Sequence, residues 1–225
     1  MAPRLRQFRA HSIRLVAIAL FSLILTSHCT AAFAQDTIGQ VTEIAGSAKL
    51  ERGGVEVDAT PMMQIKVRDK LRTTAKSKLT VTLRDGSKLV LSESSSYTID
   101  EYSIAATTRM RGSIALWTGH LRAVVVTALG ALPDFEVHTP NAIAAVRGTE
   151  FETAFIADRP CPEDRSCMRY TTVGVFHGAV SVANIANPAQ AVQVTEGYET
   201  TVACERPATS PAPLGMEEMG APGYH

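Results

Sequence analysis

The stretch Thr139-Pro140-Asn141-Ala142-Ile143-Ala144-Ala145-Val146-Arg147-Gly148-Thr149-Glu150-Phe151 decides the fold of this chain. It predicts two short strands joined by a bend. Thr139 is expected to be extended, because the ring of a following proline disfavours helical dihedral angles. Pro140 donates no backbone hydrogen bond, so it suits the start of a strand. Gly148 then lets the backbone bend before side-chain alternation resumes toward Phe151.

Two charged residues, Arg147 and Glu150, lie on either side of this bend. Because arginine can bind a carboxylate through two hydrogen bonds at once, we expect Arg147 to pair with Glu150 or Glu152 and with nearby carbonyls. The alternative is that Arg147 is a docking point for a partner or an anionic ligand. Glu150 and Glu152 should share one strand face, solvated and opposite Phe151, and are not expected to form a catalytic carboxylate pair.

The first 34 residues have the three-part pattern of a secretory signal. Four arginines and no acidic residue precede an apolar stretch from Leu15 to Leu25, and Ala32-Phe33-Ala34 offers small residues to a signal peptidase. The stretch is roughly half as long as a membrane-spanning helix requires. We therefore expect cleavage after Ala34, a periplasmic or secreted mature chain, and no stable membrane insertion. An uncleaved anchor and a lipoprotein modified at Cys29 are the alternatives.

Length and charge limit the classes of partner. A chain of 225 residues has room for one domain, or for one domain and a tail. Because residues 1–34 contain four of the 22 basic residues and no acidic residue, the mature chain keeps 18 basic against 22 acidic residues and is mildly acidic. It therefore lacks the basic footprint of a nucleic-acid binder.

Three cysteines, Cys161, Cys167 and Cys204, remain after residue 34 and would reach a compartment in which disulfides persist. The segment from Cys161 to Cys167 is typical of a loop that a local disulfide closes, so we predict a Cys161–Cys167 bond. The spacing excludes a CxxC metal pair, and no histidine lies nearby to complete a zinc site. Cys204 would then be free, paired with another chain, or in competition for Cys161 or Cys167.

Alternation of apolar and polar residues recurs along the mature chain, and glycines interrupt it at short intervals. On the segment Leu79–Leu83 the apolar side chains point one way, and Asp85-Gly86 then turns the chain. The same unit of strand, glycine corner and strand recurs at Gly178 and Gly197. No segment has apolar residues at convincing helical spacing. The sequence predicts an all-β domain of β-roll or β-sandwich type.

The predicted β-domain spans residues 35–204. After Cys204, frequent proline and glycine leave no apolar periodicity, so we predict that residues 205–225 form a disordered tail.

The stretch from Thr139 to Phe151 resembles the central motif of the FecR domain family, in which a Thr-Pro pair, a small apolar run and Arg-Gly-Thr occur in this order. Further segments resemble other elements of the family, so that the similarity covers Ile38 to Val202. These segments are Lys70–Thr73, Leu83–Ser87, Gly119–Leu121 and the corners at Gly178 and Gly197. The resemblance assigns a structural or partner-binding role to Thr139, Pro140, Arg147, Gly148, Thr149, Glu150 and Phe151.

The resemblance also implies a periplasmic domain. The best-known members of the family are transmembrane regulators that sense a loaded outer-membrane receptor and control a cytoplasmic anti-sigma segment. Only 14 residues precede the apolar stretch here, so we expect a stand-alone secreted FecR-domain protein. The leading hypothesis is a non-catalytic binding or scaffold module that engages protein partners in the cell envelope. A sensor whose signalling output lies on another chain is an alternative.

No residue pattern predicts an enzyme, a metal site or a cofactor. The histidines His120, His138 and His177 lie at turns without HxH or HExxH spacing, and no serine lies in a GxSxG motif.

A further alternative is binding of cell-wall glycan. Trp117, Tyr97 and Tyr102 could line a sugar- or peptide-binding face, although packing in the core is the commoner role of such residues.

Overall fold

The computed structural model describes residues 37–105, 108–127 and 135–215, and the predicted signal peptide lies outside them. These residues form strands and contain no helix, and so none that is long and apolar enough to cross a membrane. The strands are, in chain order, β1 (Thr37–Ala45), β2 (Ala48–Arg52), β3 (Val55–Asp58), β4 (Gln64–Lys66), β5 (Lys70–Thr73), β6 (Lys78–Leu83), β7 (Lys88–Leu91), β8 (Ser96–Ala105), β9 (Thr108–Val124), β10 (Phe135–His138), β11 (Ala142–Val146), β12 (Glu150–Ala157), β13 (Arg169–His177), β14 (Ala179–Asn184), β15 (Asn187–Thr195), β16 (Tyr198–Ala203) and β17 (Ala212–Pro213). The prediction of an all-β fold is confirmed.

The strands form two sheets that share β9. Sheet A has the strand order β4-β1-β6-β7-β9-β12-β13-β16-β17. Sheet B has the order β3-β2-β5-β8-β9-β10-β11-β14-β15. Neighbouring strands are antiparallel except for β9 and β10, which are parallel. Hairpins alternate between the sheets after β9, which is the layered arrangement that the recurring glycine corners predict.

Strand β9 passes from one sheet to the other over its 17 residues. Its first part pairs with β8 and β10 in sheet B, and its last part pairs with β7 and β12 in sheet A. The change of sheet falls at Gly119, where φ is +81°. A Cβ atom there would lie 2.7 Å from the Cα of Ser95, so both the conformation and the close contact require glycine.

A single cluster of buried apolar side chains joins the two sheets. It includes Leu79 and Leu121 from sheet A and Leu71 and Val180 from sheet B. Since these residues alternate with more exposed ones along their strands, each sheet turns its apolar face toward this core and its other face outward.

The disulfide differs from the predicted one. Cys167 is bonded to Cys204, while Cys161 is free and buried, so the predicted Cys161–Cys167 bond is wrong. Strands β13 and β16 pair with Tyr170 opposite Ala203, and this register brings the residues that flank the two strands together. The partners are 37 positions apart, a pairing that depends on the tertiary fold and that local loop spacing does not indicate.

The tail prediction is wrong for residues 205–215. Strand β17 pairs with β16, and the hydroxyl of Thr200 donates a hydrogen bond of 2.7 Å to the carbonyl of Thr209. Gly215 N–H also donates to the Glu199 carboxylate at 3.2 Å. Backbone and polar contacts with β16 position this segment, so the lack of apolar periodicity did not indicate disorder. Residues 216–225 lie outside the described part of the chain.

Candidate functional site

Four glycine-containing turns, at Gly86, Gly148, Gly178 and Gly197, lie at one end of the domain, together with the residues that follow β9. We call this region the corner end; it comprises residues 85–87, 125–127, 147–149, 177–179 and 196–197. The N–H of Val126 donates to the hydroxyl of Ser87 at 3.0 Å. Val125 and Thr149 exchange two backbone hydrogen bonds of 2.9 and 3.1 Å. These bonds tie the β6–β7 turn to the β11–β12 bend through the end of β9.

Hydrogen bonds connect the turns at Gly178 and Gly197 to the β11–β12 bend. The hydroxyl of Thr149 donates to the carbonyl of Ala179 at 3.1 Å, and the N–H of Glu196 donates to the carbonyl of Gly178 at 3.1 Å. Gly148 has a φ of +75°, and a Cβ added to it would lie 2.7 Å from the Cα of Thr127. The glycine and threonine of the predicted family motif are therefore structural parts of the corner end.

A buried ion pair supports the corner end from inside. Arg109 is 2% exposed, and its guanidinium pairs with the carboxylate of Asp85 and donates to the carbonyl of Val126 at 3.1 Å. The same carboxylate accepts hydrogen bonds from the backbone and hydroxyl of Ser87, at 3.0 and 2.8 Å. Asp85 therefore does more than begin a turn: it binds a buried cation from β9.

Tyr102 completes this cluster. Its hydroxyl accepts a hydrogen bond of 3.1 Å from the N–H of Asp85. Burial, together with the nearby Asp85 charge, raises the pKa of Tyr102 to about 12. Because the neutral phenol is favoured there, Tyr102 belongs to the supporting structure and does not serve as an acid or base near neutral pH.

The first part of the motif lies at the other end of β11. The side-chain amide of Asn141 donates to the carbonyl of Val202 at 2.8 Å and accepts a hydrogen bond from Thr171 at 2.6 Å. Thr139 bonds to the same threonine at 2.7 Å. Thr139 and Asn141, on either side of Pro140, thus tie the start of β11 to β13 and β16. The structure places Thr139 and Arg147 at opposite ends of one strand and does not bring them into one site.

Arg147 does not pair with the acidic residues of β12. Its side chain is exposed, and it forms no hydrogen bond or ion pair with a described residue. Glu150 instead pairs with Arg122, whose Nη2 and Nε lie 2.5 and 3.1 Å from one carboxylate oxygen. The predicted clamp by Arg147 is therefore wrong. The physical reason is that β9 lies beside β12 and supplies the closer arginine.

Glu150 and Glu152 share the outer face of sheet A, and Phe151 is fully buried on the other face, as the alternation predicts. They are less solvated than expected. Glu152 is 9% exposed, and its carboxylate lies 3.0 Å from Nδ1 of His120. Both carboxylates are thus occupied by cross-strand partners, an arrangement that stabilises sheet A and leaves no open pair of carboxylates.

Exposed side chains in and directly beside the corner end combine positive charge with apolar surface. We call Arg84, Lys88, Val124, Val126 and Arg147 the corner patch. Val124 and Val126 are 37% and 45% exposed, and Lys88 lies opposite Val124 across β7 and β9. None of the three cations forms an ion pair with a described residue.

Two of the three described acidic residues at the same end are paired with an arginine. Asp85 is bound by the guanidinium of Arg109 and Glu150 by that of Arg122, while the exposed Glu196 carboxylate lies 3.1 Å from Nδ1 of His177. The corner patch is therefore positively charged. Sequence reasoning missed Arg84, Lys88 and the two valines, because only the sheet register brings them beside the β11–β12 bend.

The three aromatic residues considered for glycan binding do not share an exposed face. Tyr97 is fully buried and Tyr102 is 9% exposed, whereas Trp117 is 51% exposed and donates its indole N–H to Thr98 at 2.9 Å. Within residues 37–105, 108–127 and 135–215, no group of His, Cys, Asp or Glu side chains is arranged to hold a metal ion.

These features define a two-sheet β-domain whose glycine corners present a cationic patch. The chain belongs to the FecR protein family: the family model matches residues 69–181, which is half of the chain and includes the whole Thr139–Phe151 motif. The family assignment made from that motif is confirmed.

Two solved structures are similar to this chain. They are crystal structures, at 1.65 and 2.50 Å resolution, of a candidate anti-sigma factor from Parabacteroides distasonis ATCC 8503. Each matches with 19% sequence identity and a TM-score of 0.47, over 64% of this chain and 59% of the other. This chain thus spans less than two thirds of the length of those proteins. The comparison with curated proteins found no match.

Proposed function

We propose that this FecR-family protein is a non-catalytic binding module of the bacterial cell envelope that docks an acidic protein surface on its corner patch. The observation that carries the proposal is a group of three cations, none of which forms an ion pair with a described residue, around two exposed valines. Arginine beside exposed apolar side chains is a common composition at the centre of protein interfaces.

The rigidity of the corner end supports the same role. Arg147 precedes a glycine held against Thr127, and the buried Arg109–Asp85 pair lies beneath the neighbouring turn. A preorganised surface loses little conformational entropy when a partner binds. Because these cations pair with no acidic side chain in the described part of the chain, they can attract an acidic surface, and the association should weaken as salt rises.

Site-specific photocrosslinking in periplasmic extract tests this proposal. A photoreactive amino acid at Val126 should form a discrete crosslink to a protein, and one at Val55, which is 64% exposed on β3, should not form it. The crosslink should fall at least tenfold with Arg147→Glu and decline with added salt. The control Arg159→Glu changes an exposed arginine beyond the opposite end of β12 and should have no effect. Equal crosslinking of both arginine variants would contradict the proposal.

Family membership favours a second, narrower form of this function. In it, the docked protein carries the output of a sigma-factor signalling system, and this chain is the envelope sensor. A transcriptional reporter of the candidate sigma factor should then change when the chain is deleted and recover with the wild-type chain but not with Arg147→Glu. If reporter expression does not change on deletion, the signalling function is excluded, while the proposal of a docking surface is unaffected.

A further inference from the structure

The three cysteines of the described chain pack together at the ends of β12 and β13 away from the corner patch, two of them buried and Cys204 partly buried. Cys161 is fully buried, Cys167 is 2% exposed, and both pack with Ala203, Tyr170 and Cys204. Cys167 and Cys204 are bonded, and Cys161 carries the free thiol. A free thiol therefore lies in the same apolar cluster as a disulfide.

We propose that Cys161 and Cys204 exchange as the disulfide partner of Cys167. The Cys161 thiol loses its proton, and its sulfur attacks the Sγ of Cys167. The Cys167–Cys204 bond then breaks, a Cys161–Cys167 bond forms, and Cys204 leaves as a thiolate that takes up a proton. One disulfide and one thiol are present before and after, so the step consumes no oxidant or reductant.

The backbone already holds the new partners together. The N–H of Cys161 donates a hydrogen bond of 2.8 Å to the carbonyl of Cys167, and the N–H of Cys167 donates to the carbonyl of Asp164 at 2.9 Å. This direct hydrogen bond keeps the backbones of the two cysteines within the separation over which a disulfide can form. The exchange thus needs side-chain rotation and little movement of the main chain.

The two bonds constrain different parts of the chain. The Cys167–Cys204 bond fixes the segment after β16 covalently, whereas a Cys161–Cys167 bond would close only the local loop. Because a disulfide across a longer segment restricts the unfolded chain more, the Cys167–Cys204 form is expected to predominate.

After exchange, noncovalent contacts alone would hold that segment. The carbonyl of Cys204 would keep its hydrogen bond from Asn184, of 2.9 Å, and Arg206 would keep its ion pair with Asp164, of 2.8 Å. Exchange would free the half-buried thiol of Cys204 from its disulfide, so that a reagent can modify it in the folded protein.

Alkylation of the purified native protein tests the exchange. Wild-type protein is incubated at pH 8 with iodoacetamide, quenched with acid and mapped by mass spectrometry. Alkylated Cys204 should accumulate together with a Cys161–Cys167 disulfide peptide. In Cys161→Ser, alkylation of Cys204 should be at least tenfold slower. The proposal fails if Cys204 stays unmodified in the wild type, or if it is modified equally fast in both proteins.

Cys204→Ser gives an independent measurement. Expressed with its signal and purified from the periplasm, this variant should contain the Cys161–Cys167 disulfide. Two free thiols in the folded variant would overturn the proposal. If Cys204→Ser does not fold, mapping of the wild type and of Cys161→Ser decides the question.

Discussion

At the scale of single residues, we expect the buried Asp85–Arg109 pair to contribute strongly to stability. Asp85→Ala should lower the free energy of unfolding by about 3–5 kcal/mol, because it breaks the buried pair with Arg109 and removes the acceptor of two hydrogen bonds from Ser87. Glu101→Ala is the matched control. Glu101 pairs at the surface with Arg111, which lies on β9 like Arg109, and this exposed pair should contribute less than about 1 kcal/mol. Urea unfolding measures both, and equal losses would contradict this assignment.

At the β11–β12 bend the sequence predicts which face each side chain occupies, but not which residue it pairs with. The alternation around Phe151 was enough to place Glu150 and Glu152 on one face. The partner of each carboxylate could not be predicted, because Arg122 and His120 come from β9 and reach β12 only through the sheet register. Since Arg147 is exposed and has no ion pair with a described residue, Arg147→Ala should change stability by less than about 0.5 kcal/mol in thermal or urea unfolding. A loss of several kcal/mol would instead support the predicted pairing of Arg147 with Glu150 or Glu152.

Tyr97 gives a pH-dependent prediction. Burial, with a smaller effect of the Asp69 charge, raises the pKa of Tyr97, and its buried hydroxyl has no hydrogen-bond partner among the described residues. Because the pKa is higher in the folded than in the unfolded state, titration of this phenol leaves stability unchanged below about pH 10 and lowers it as pH rises beyond that value. Tyr97→Phe should raise stability at pH 7 by about 1 kcal/mol.

The same substitution should reduce the fall in stability between pH 9 and pH 11. Urea titrations at each pH measure both effects. Tyr102→Phe is the comparison, since its phenol also has a raised pKa but accepts a hydrogen bond, so its loss should destabilise the protein at pH 7. A Tyr97→Phe protein that is less stable at pH 7 would contradict the prediction.

At the scale of strands and turns, glycine corners differ in what they require. Gly148 and Gly197 have similar φ values of +75° and +80°, but an added Cβ would meet Thr127 at Gly148 and nothing within 4 Å at Gly197. Gly197→Ala should therefore cost about 1 kcal/mol for the left-handed conformation. Gly148→Ala should cost about 1–3 kcal/mol more, because the bend must move away from Thr127. Equal thermal shifts for the two variants would show that the left-handed conformation alone determines the loss of stability, and that the contact with Thr127 adds nothing.

The corners were the most predictable elements, since glycine between alternating segments has a local conformational cause. The disulfide and the C-terminal segment were the least predictable. Cys204 meets Cys167 because β13 and β16 pair, and residues 205–215 are held by backbone bonds to β16. Neither contact leaves a signal in local hydrophobic patterning, because one depends on sheet topology and the other on hydrogen bonds of main-chain and polar side-chain groups.

At the scale of the whole molecule, β9 determines how the two sheets unfold. It pairs with four other strands, two in each sheet, and one apolar cluster contains residues of both sheets. Loss of either sheet would expose the core face of the other, so intermediates with a single intact sheet should be unstable. We expect cooperative unfolding of the disulfide-bonded domain.

The one tryptophan of the sequence makes this prediction measurable. Trp117 lies on β9 two residues before the bend at Gly119, so its fluorescence reports the strand that both sheets share, while far-UV circular dichroism reports all strands. The two signals should give one urea midpoint. Gly119→Ala, which forces the backbone away from Ser95, should lower both midpoints equally. Separate midpoints would mean that the sheets unfold independently, and that β9 connects them without coupling their stability.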